Sequence, residues 1–275
     1  MLELPEAMTL ARQLRSRVVG RRIVGVTGPT SPHRFAFFTG DPAEYGPALS
    51  GHEITTADAY GGLVELAAGE RSLVVNDGVN LRWLAPGQAL PAKRQLAVAL
   101  DDGSALVATV QMYGGLLLAP AGELDSPYYA IARRLPSPLT DAFDEAYFDA
   151  LLAGAKPTLS AKALLATEQR IPGLGNGVLQ DILFQAGVNP RTKLNRLTAD
   201  DRDRLFGAVK GTLAAMTAGG GRDTEKDLYG APGGYRTLLS AAALTRPCPG
   251  CGGAIVRQAF LGGNVYFCPA CQPQR

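Results

Sequence analysis

The sequence predicts an α+β protein of two unlike halves followed by a short cysteine-bound hairpin, and three observations carry that prediction. Residues 22–119 hold short β-branched or leucine-rich runs separated by turn signals. Beyond Pro136-Ser137-Pro138 the apolar period lengthens to that of amphipathic helices. All four cysteines then fall within the last 28 residues.

The elements follow in order. Pro5, then Leu10, Leu14 and Val18, predict one amphipathic helix ending near Gly20. Residues 22–27, 63–66, 72–76, 95–100 and 106–111 read as strands of an antiparallel sheet, with Asp101-Asp102-Gly103 as a hairpin turn. Phe143, Tyr147, Phe148, Leu151 and Leu152 lie on one helical stripe. Three more stripes run through Leu164 and Leu165, Val178 to Leu183, and Leu205, Val209 and Leu213, the last ended by Gly219-Gly220-Gly221. The expected domains are 1–124, a linker over 125–140, 141–218, and a segment 219–275 whose hairpin spans 246–273. No repeat or low-complexity segment interrupts them.

Composition narrows the classes. Apolar residues make up 46% and charged residues 19%, enough hydrophobic material for a core and too much for a disordered chain. No apolar run approaches the ~18–20 residues of a membrane span. Glu3 and Glu6 replace the basic region of a signal peptide, so a soluble intracellular protein is expected. Residues 1–150 carry 12 Lys and Arg against 17 Asp and Glu, whereas 151–275 carry 15 against 8. A basic C-terminal half suits phosphate contact, and chance variation on solvated faces would give the same asymmetry.

Cys248-Pro249-Gly250-Cys251 and Cys268-Pro269-Ala270-Cys271 stand sixteen residues apart. Each pair sets two thiolates on one tight knuckle, and two knuckles complete a tetrahedron for Zn²⁺. Two disulfides or a redox pair are the alternatives. Four thiolates close the coordination sphere, so such a zinc is structural. Gln169-Arg170-Ile171-Pro172-Gly173-Leu174-Gly175-Asn176 is a glycine-rich turn between two helical stripes. It exposes N–H groups at the next helix's N-terminus, where a phosphate fits, with Lys162, Arg191 and Lys193 nearby. An ordinary interhelical turn reads the same way. Glu3 and Glu6 flank a Leu-Pro step at the chain's start. Glu6 equally complements a helix dipole.

Together these segments resemble the formamidopyrimidine-DNA glycosylase and endonuclease VIII family almost end to end. The carrying residues are Glu3-Leu4-Pro5-Glu6, Lys162-Ala163-Leu164-Leu165-Ala166-Thr167-Glu168-Gln169, Pro172-Gly173-Leu174-Gly175-Asn176, Asp181 to Pro190, and the finger ending in Cys271-Gln272. The resemblance implies an N-terminal antiparallel β-sandwich, a helix–two-turn–helix domain and a β-hairpin zinc finger that together clamp bent, damaged duplex DNA and flip out a base. It implies Glu3 as the acid/base carboxylate supported by Glu6. Lys162, Gly173, Gly175 and Asn176 would hold the DNA backbone, and Met112 and Tyr113, with Val79, would act as wedges.

The departures are equally specific. Leu2 stands where the family has a nucleophilic proline, which leaves Met1's amine at the terminus. Asn264 takes the place of the finger arginine, and Tyr60-Gly61-Gly62-Leu63 lacks the family's lysine. The expectation is a monomeric, cytoplasmic, nucleoid-associated glycosylase that hydrolyses the N-glycosidic bond with little or no cleavage at abasic sites. A catalytically inert protein that recognises abasic or distorted DNA is the alternative, and an imine-forming lyase on Met1's amine is a third.

Overall fold

α1 (Leu4–Arg17) opens the chain, with Pro5 in its first turn and Arg15 and Arg17 in its last, where they complement the helix dipole. The computed structural model describes residues 1–274. Ala7, Leu10 and Leu14 of this helix enter the core of the N-terminal half, while Leu4 enters the helical core. The first turn of α1 therefore sits at the junction of the two halves, and Glu3 and Glu6 sit with it.

The strands are β1 (Ile23–Thr27), β2 (Ala36–Phe38), β3 (Ile54–Tyr60), β4 (Leu63–Ala68), β5 (Arg71–Val75), β6 (Val79–Leu84), β7 (Leu96–Leu100), β8 (Ala105–Val110) and β9 (Gly114–Pro120). A short helix, α2 (Tyr45–Leu49), lies between β2 and β3. One sheet has the order β1-β7-β8-β6 and the other β2-β9-β5-β4-β3. Val64, Leu66, Leu73 and Val75 of one sheet share a core with Leu81, Leu96, Val98 and Leu106 of the other, which makes the half a β-sandwich. All pairings are antiparallel except β2 with β9. The β7–β8 hairpin turns at Gly103, with φ +80°.

β9 escapes a sequence reading because it opens on two glycines and closes on a proline. A Cβ on Gly114 would lie 2.8 Å from Val79 Cγ2, so the strand fits only with glycine there. The stretch 125–140 holds a helix of its own, α3 (Pro127–Arg134), capped by Ser126. Its Tyr129 packs on Leu63 and Val74, on the outer face of the second sheet.

The helical half comprises α4 (Glu145–Gly154), α5 (Ala161–Ala166), α6 (Val178–Ala186) and α7 (Ala199–Ala218). Thr198 and Asp201 form a capping box on α7, and Leu205, Val209, Leu213 and Met216 line its buried face. The segment after α7 returns to the N-terminal half. Leu228 is fully buried there, and Gln13 both donates to Asp227 (2.8 Å) and accepts from the Leu228 N–H (3.0 Å). Arg17 lies over the rings of Trp83 and Tyr229, at 5.1 and 5.6 Å. The chain ends in the hairpin β10 (Val256–Phe260) and β11 (Gly263–Phe267). No helix among the described residues is long and apolar enough to cross a membrane.

Candidate active site and nucleic-acid interface

A cleft of about 630 Å³ runs between the sandwich, the glycine-rich turn and the tip of the hairpin. Its walls bring together Met1, Glu3, Met112, Tyr113, Lys162, Gly173, Gly175 and Asn176, which lie far apart in sequence. Backbone contact between the two halves sets its width. Gly61, in the β3–β4 turn, has φ +56°, and a Cβ there would meet Pro172 Cβ at 2.9 Å. A Cβ on Gly173 would meet the Gly61 carbonyl carbon at 2.5 Å. A lysine has no room in this turn, because the turn is itself the contact.

Glu3 is 3% exposed, and its carboxylate accepts from the N–H of Gly177 (2.8 Å) and of Val178 (2.7 Å). It thus occupies the positive end of α6, the place where a phosphate was expected. The phosphate reading of that helix end is corrected: its donors are already used by a carboxylate of the same chain. The N–H groups of Gly175 and Asn176, immediately before them in the chain, have no acceptor among the described residues. Gly175 has its own constraint, since a Cβ there would sit 2.7 Å from Glu3 Oε1.

Arg222 is buried between the two N-terminal carboxylates. Its Nη1 lies 3.7 Å from Glu3, while its backbone N–H (3.1 Å), Nε (3.0 Å) and Nη2 (2.9 Å) all donate to Glu6. Burial raises the Glu3 carboxyl above its ordinary value, and Arg222 with the two α6 N–H groups acts against that rise. The same carboxylates hold the Arg222 guanidinium protonated well above its ordinary value despite burial. Glu6 faces Arg222 and lies behind Glu3.

Two more acids complete the site. Met1's ammonium is ion-paired with Glu225, and the Leu2 N–H donates to the Asp77 carbonyl at 2.6 Å. Leu2 is itself a core residue. The Asp77 side chain faces the cleft from a left-handed backbone position, φ +49°, and has no hydrogen-bond partner among the described residues. Burial raises its carboxyl, Met1's ammonium opposes the rise, and Tyr113 is in turn pushed up by burial, Asp77 and Glu3. Arg222, Glu225 and Asp77 carried no signal in the sequence. Each is an ordinary charged residue made special by partners distant along the chain.

The other expected contacts are distributed unevenly. Met112 is 65% and Tyr113 40% exposed at the cleft. Val79 is buried at 3%, because its β6 position faces the sandwich core, so it is no wedge. Lys162 is also buried, and its Nζ donates to the Phe260 carbonyl at 2.6 Å; burial lowers its pKa. Asn176 Nδ2 donates to the Asn264 carbonyl at 3.0 Å, leaving its buried Oδ1 without a partner. The exposed Asn264 takes part in this contact through its backbone.

The four sulfurs of Cys248, Cys251, Cys268 and Cys271 lie within 4.8 Å of one another, with pairs at 3.8 and 3.5 Å. A tetrahedron with Zn–S bonds of ~2.3 Å has edges of about 3.8 Å, so this donor set fits zinc. All four cysteines are free of disulfides. Metal analysis of reduced protein is expected to return a single zinc per chain. Cys251→Ser should unfold the hairpin and leave the sandwich intact. A folded hairpin in zinc-free protein would contradict this.

Residues 1–133 match the family model described as the formamidopyrimidine-DNA glycosylase N-terminal domain. The formamidopyrimidine-DNA glycosylase of Halorhodospira halophila is 32% identical over 279 residues, covering 99% of this chain and 100% of that protein. The chain belongs to the formamidopyrimidine-DNA glycosylase family. The family member from Symbiobacterium thermophilum is 33% identical over 282 residues, covering 99% of this chain and 90% of that one. Among solved structures, the MutM (Fpg) protein of Thermus thermophilus aligns with a TM-score of 0.80 at 26% identity, over 99% of each chain. Lactococcus lactis Fpg, in complex with abasic-site DNA, has the same fold, with a TM-score of 0.84 over 99% of this chain and 100% of that one at 23% identity.

Proposed function

We propose that this family member is a base-excision DNA glycosylase that hydrolyses the N-glycosidic bond of a nucleotide flipped into the cleft and leaves the strand unbroken. The observation that carries this reading is the Glu3 carboxylate, fixed at the cleft wall by two N–H groups and Arg222. Water attacks C1′ while Glu3 takes its proton, and the C1′–N bond breaks as the base leaves with a proton. Asp77, a second cleft-lining carboxyl, is suited to supply that proton. An imine would instead need an amine at C1′. Leu2's nitrogen is an amide, and Met1's is tied to Glu225. Misplacement by 1 Å can cost ~10²-fold, so strand cleavage through an imine is not expected.

In this reading residues 1–124 present the carboxylates, 141–218 hold the phosphate backbone through Gly175 and Asn176, and the finger of 219–275 closes the cleft. Lys162 contributes by holding the finger, with its charge turned inward. The substrate is damaged or abasic double-stranded DNA, encountered in the bacterial cytoplasm at the nucleoid by a monomer. Binding should weaken with salt, log K falling by about 0.9 per phosphate neutralised for each unit of log salt. Asn176→Ala should weaken binding to lesion and undamaged duplexes alike. A salt-independent affinity, or one untouched by Asn176→Ala, would displace the DNA from this cleft.

A further inference from the structure

The two-residue turn of the finger hairpin is Leu261-Gly262, between the paired Phe260 and Gly263. Both turn residues are left-handed, with φ +48° and +73°. Glycine and asparagine adopt this turn freely, whereas leucine is disfavoured in it. Leu261 is nevertheless there, 52% exposed, and it lines the cleft opposite Met112 and Tyr113. An exposed apolar side chain in a strained turn contributes nothing evident to folding.

The strands just below the tip are held from the helical half. The buried Lys162 ammonium binds the Phe260 carbonyl at 2.6 Å, and the Arg191 guanidinium lies 4.2 Å from the Phe260 ring centroid. Across the hairpin, Asn176 and Gln180 both donate to the Asn264 carbonyl, at 3.0 and 3.1 Å. The tip is therefore presented rigidly. With Val79 buried, Met112 and Tyr113 remain as exposed apolar probes on the sandwich side of the cleft. A further one comes from the opposite wall.

We infer that Leu261 is an intercalating wedge that enters the base stack at the lesion and fills the gap left by the flipped nucleotide. Apolar side chains inserted between base steps unstack and bend DNA, and burial in the stack removes their surface from water. This rests on the reading of the cleft as the DNA site.

The test is a duplex carrying a tetrahydrofuran abasic analogue beside 2-aminopurine. The unmodified protein should raise the 2-aminopurine fluorescence on binding. Leu261→Asn suits the turn, so its melting temperature should equal or exceed that of the parent. It should nonetheless lose the fluorescence rise and bind the abasic duplex on the order of tenfold more weakly, with affinity for undamaged duplex unchanged. Leu261→Met should retain the rise. A full rise and parental affinity with Leu261→Asn would overturn the wedge while leaving the glycosylase reading in place. If the unmodified protein did not prefer the abasic duplex at all, both would fall together.

Discussion

Glu3→Gln is expected to lower base release by about 10²–10⁴-fold, the usual contribution of a positioned proton-transfer group, while DNA affinity holds. Glutamine cannot take the water's proton. It can still accept from one of the α6 N–H groups, so the fold survives with one buried donor unpaired, a cost of about 1–3 kcal/mol. The pH dependence separates this role from a purely structural cap. The Glu3 carboxyl is raised above its ordinary value of 4.5, so the rate should fall on acidification at a pH above the usual carboxylate range. That acid limb should vanish in Glu3→Gln. Stability moves the opposite way: a raised folded pKa contributes stability below the unfolded pKa that is lost as pH rises through the folded one. The parent should therefore gain on the variant in acid. Single-turnover base release between pH 4 and 8 checks the rate, and urea midpoints check the stability.

Arg222→Met carries the largest expected stability effect. Arg222, Glu3 and Glu6 are 3%, 3% and 5% exposed, so solvent screens little of their interaction. Removing the guanidinium leaves two buried carboxylates facing each other, and breaking a buried ion pair from one side costs about 3–5 kcal/mol. The loss should be full near neutral pH and shrink on acidification, since Glu3, whose carboxyl burial already raises, can then protonate and relieve the repulsion. Urea midpoints at pH 7 and pH 5 would show it. An equal deficit at both would mean that Arg222 acts by packing alone.

Legibility in the sequence followed the range of the interaction. The four-cysteine spacing announces its site because each knuckle is local, and the apolar periods announce α1, α6 and α7 for the same reason. β9 was hidden because its glycines answer to Val79, on the other sheet, and to Asn76, just beyond the neighbouring strand β5. The turn around Gly173 was visible, but not its purpose. Its glycines admit Gly61 and Glu3, and the donors beyond it serve a carboxylate that begins the chain. Glu3 was found by resemblance. Arg222 and Glu225 emerge only when the returning segment docks on α1. Lys162 was expected to hold the DNA backbone, yet its Nζ donates to a carbonyl 98 residues away, a partner no local pattern announces.

The fate of the DNA strand tests the central claim most directly. A panel of lesion-bearing duplexes, incubated in single turnover with the zinc-loaded protein, is divided and analysed with and without hot alkali. The account predicts base release on at least one lesion, with strand breaks only after alkali, and no covalent protein–DNA complex on borohydride treatment. Strand cleavage without alkali, accompanied by borohydride trapping that is lost on blocking the N-terminus, would make Met1 the nucleophile. Absence of base release from every lesion would leave a protein that recognises damage without removing it.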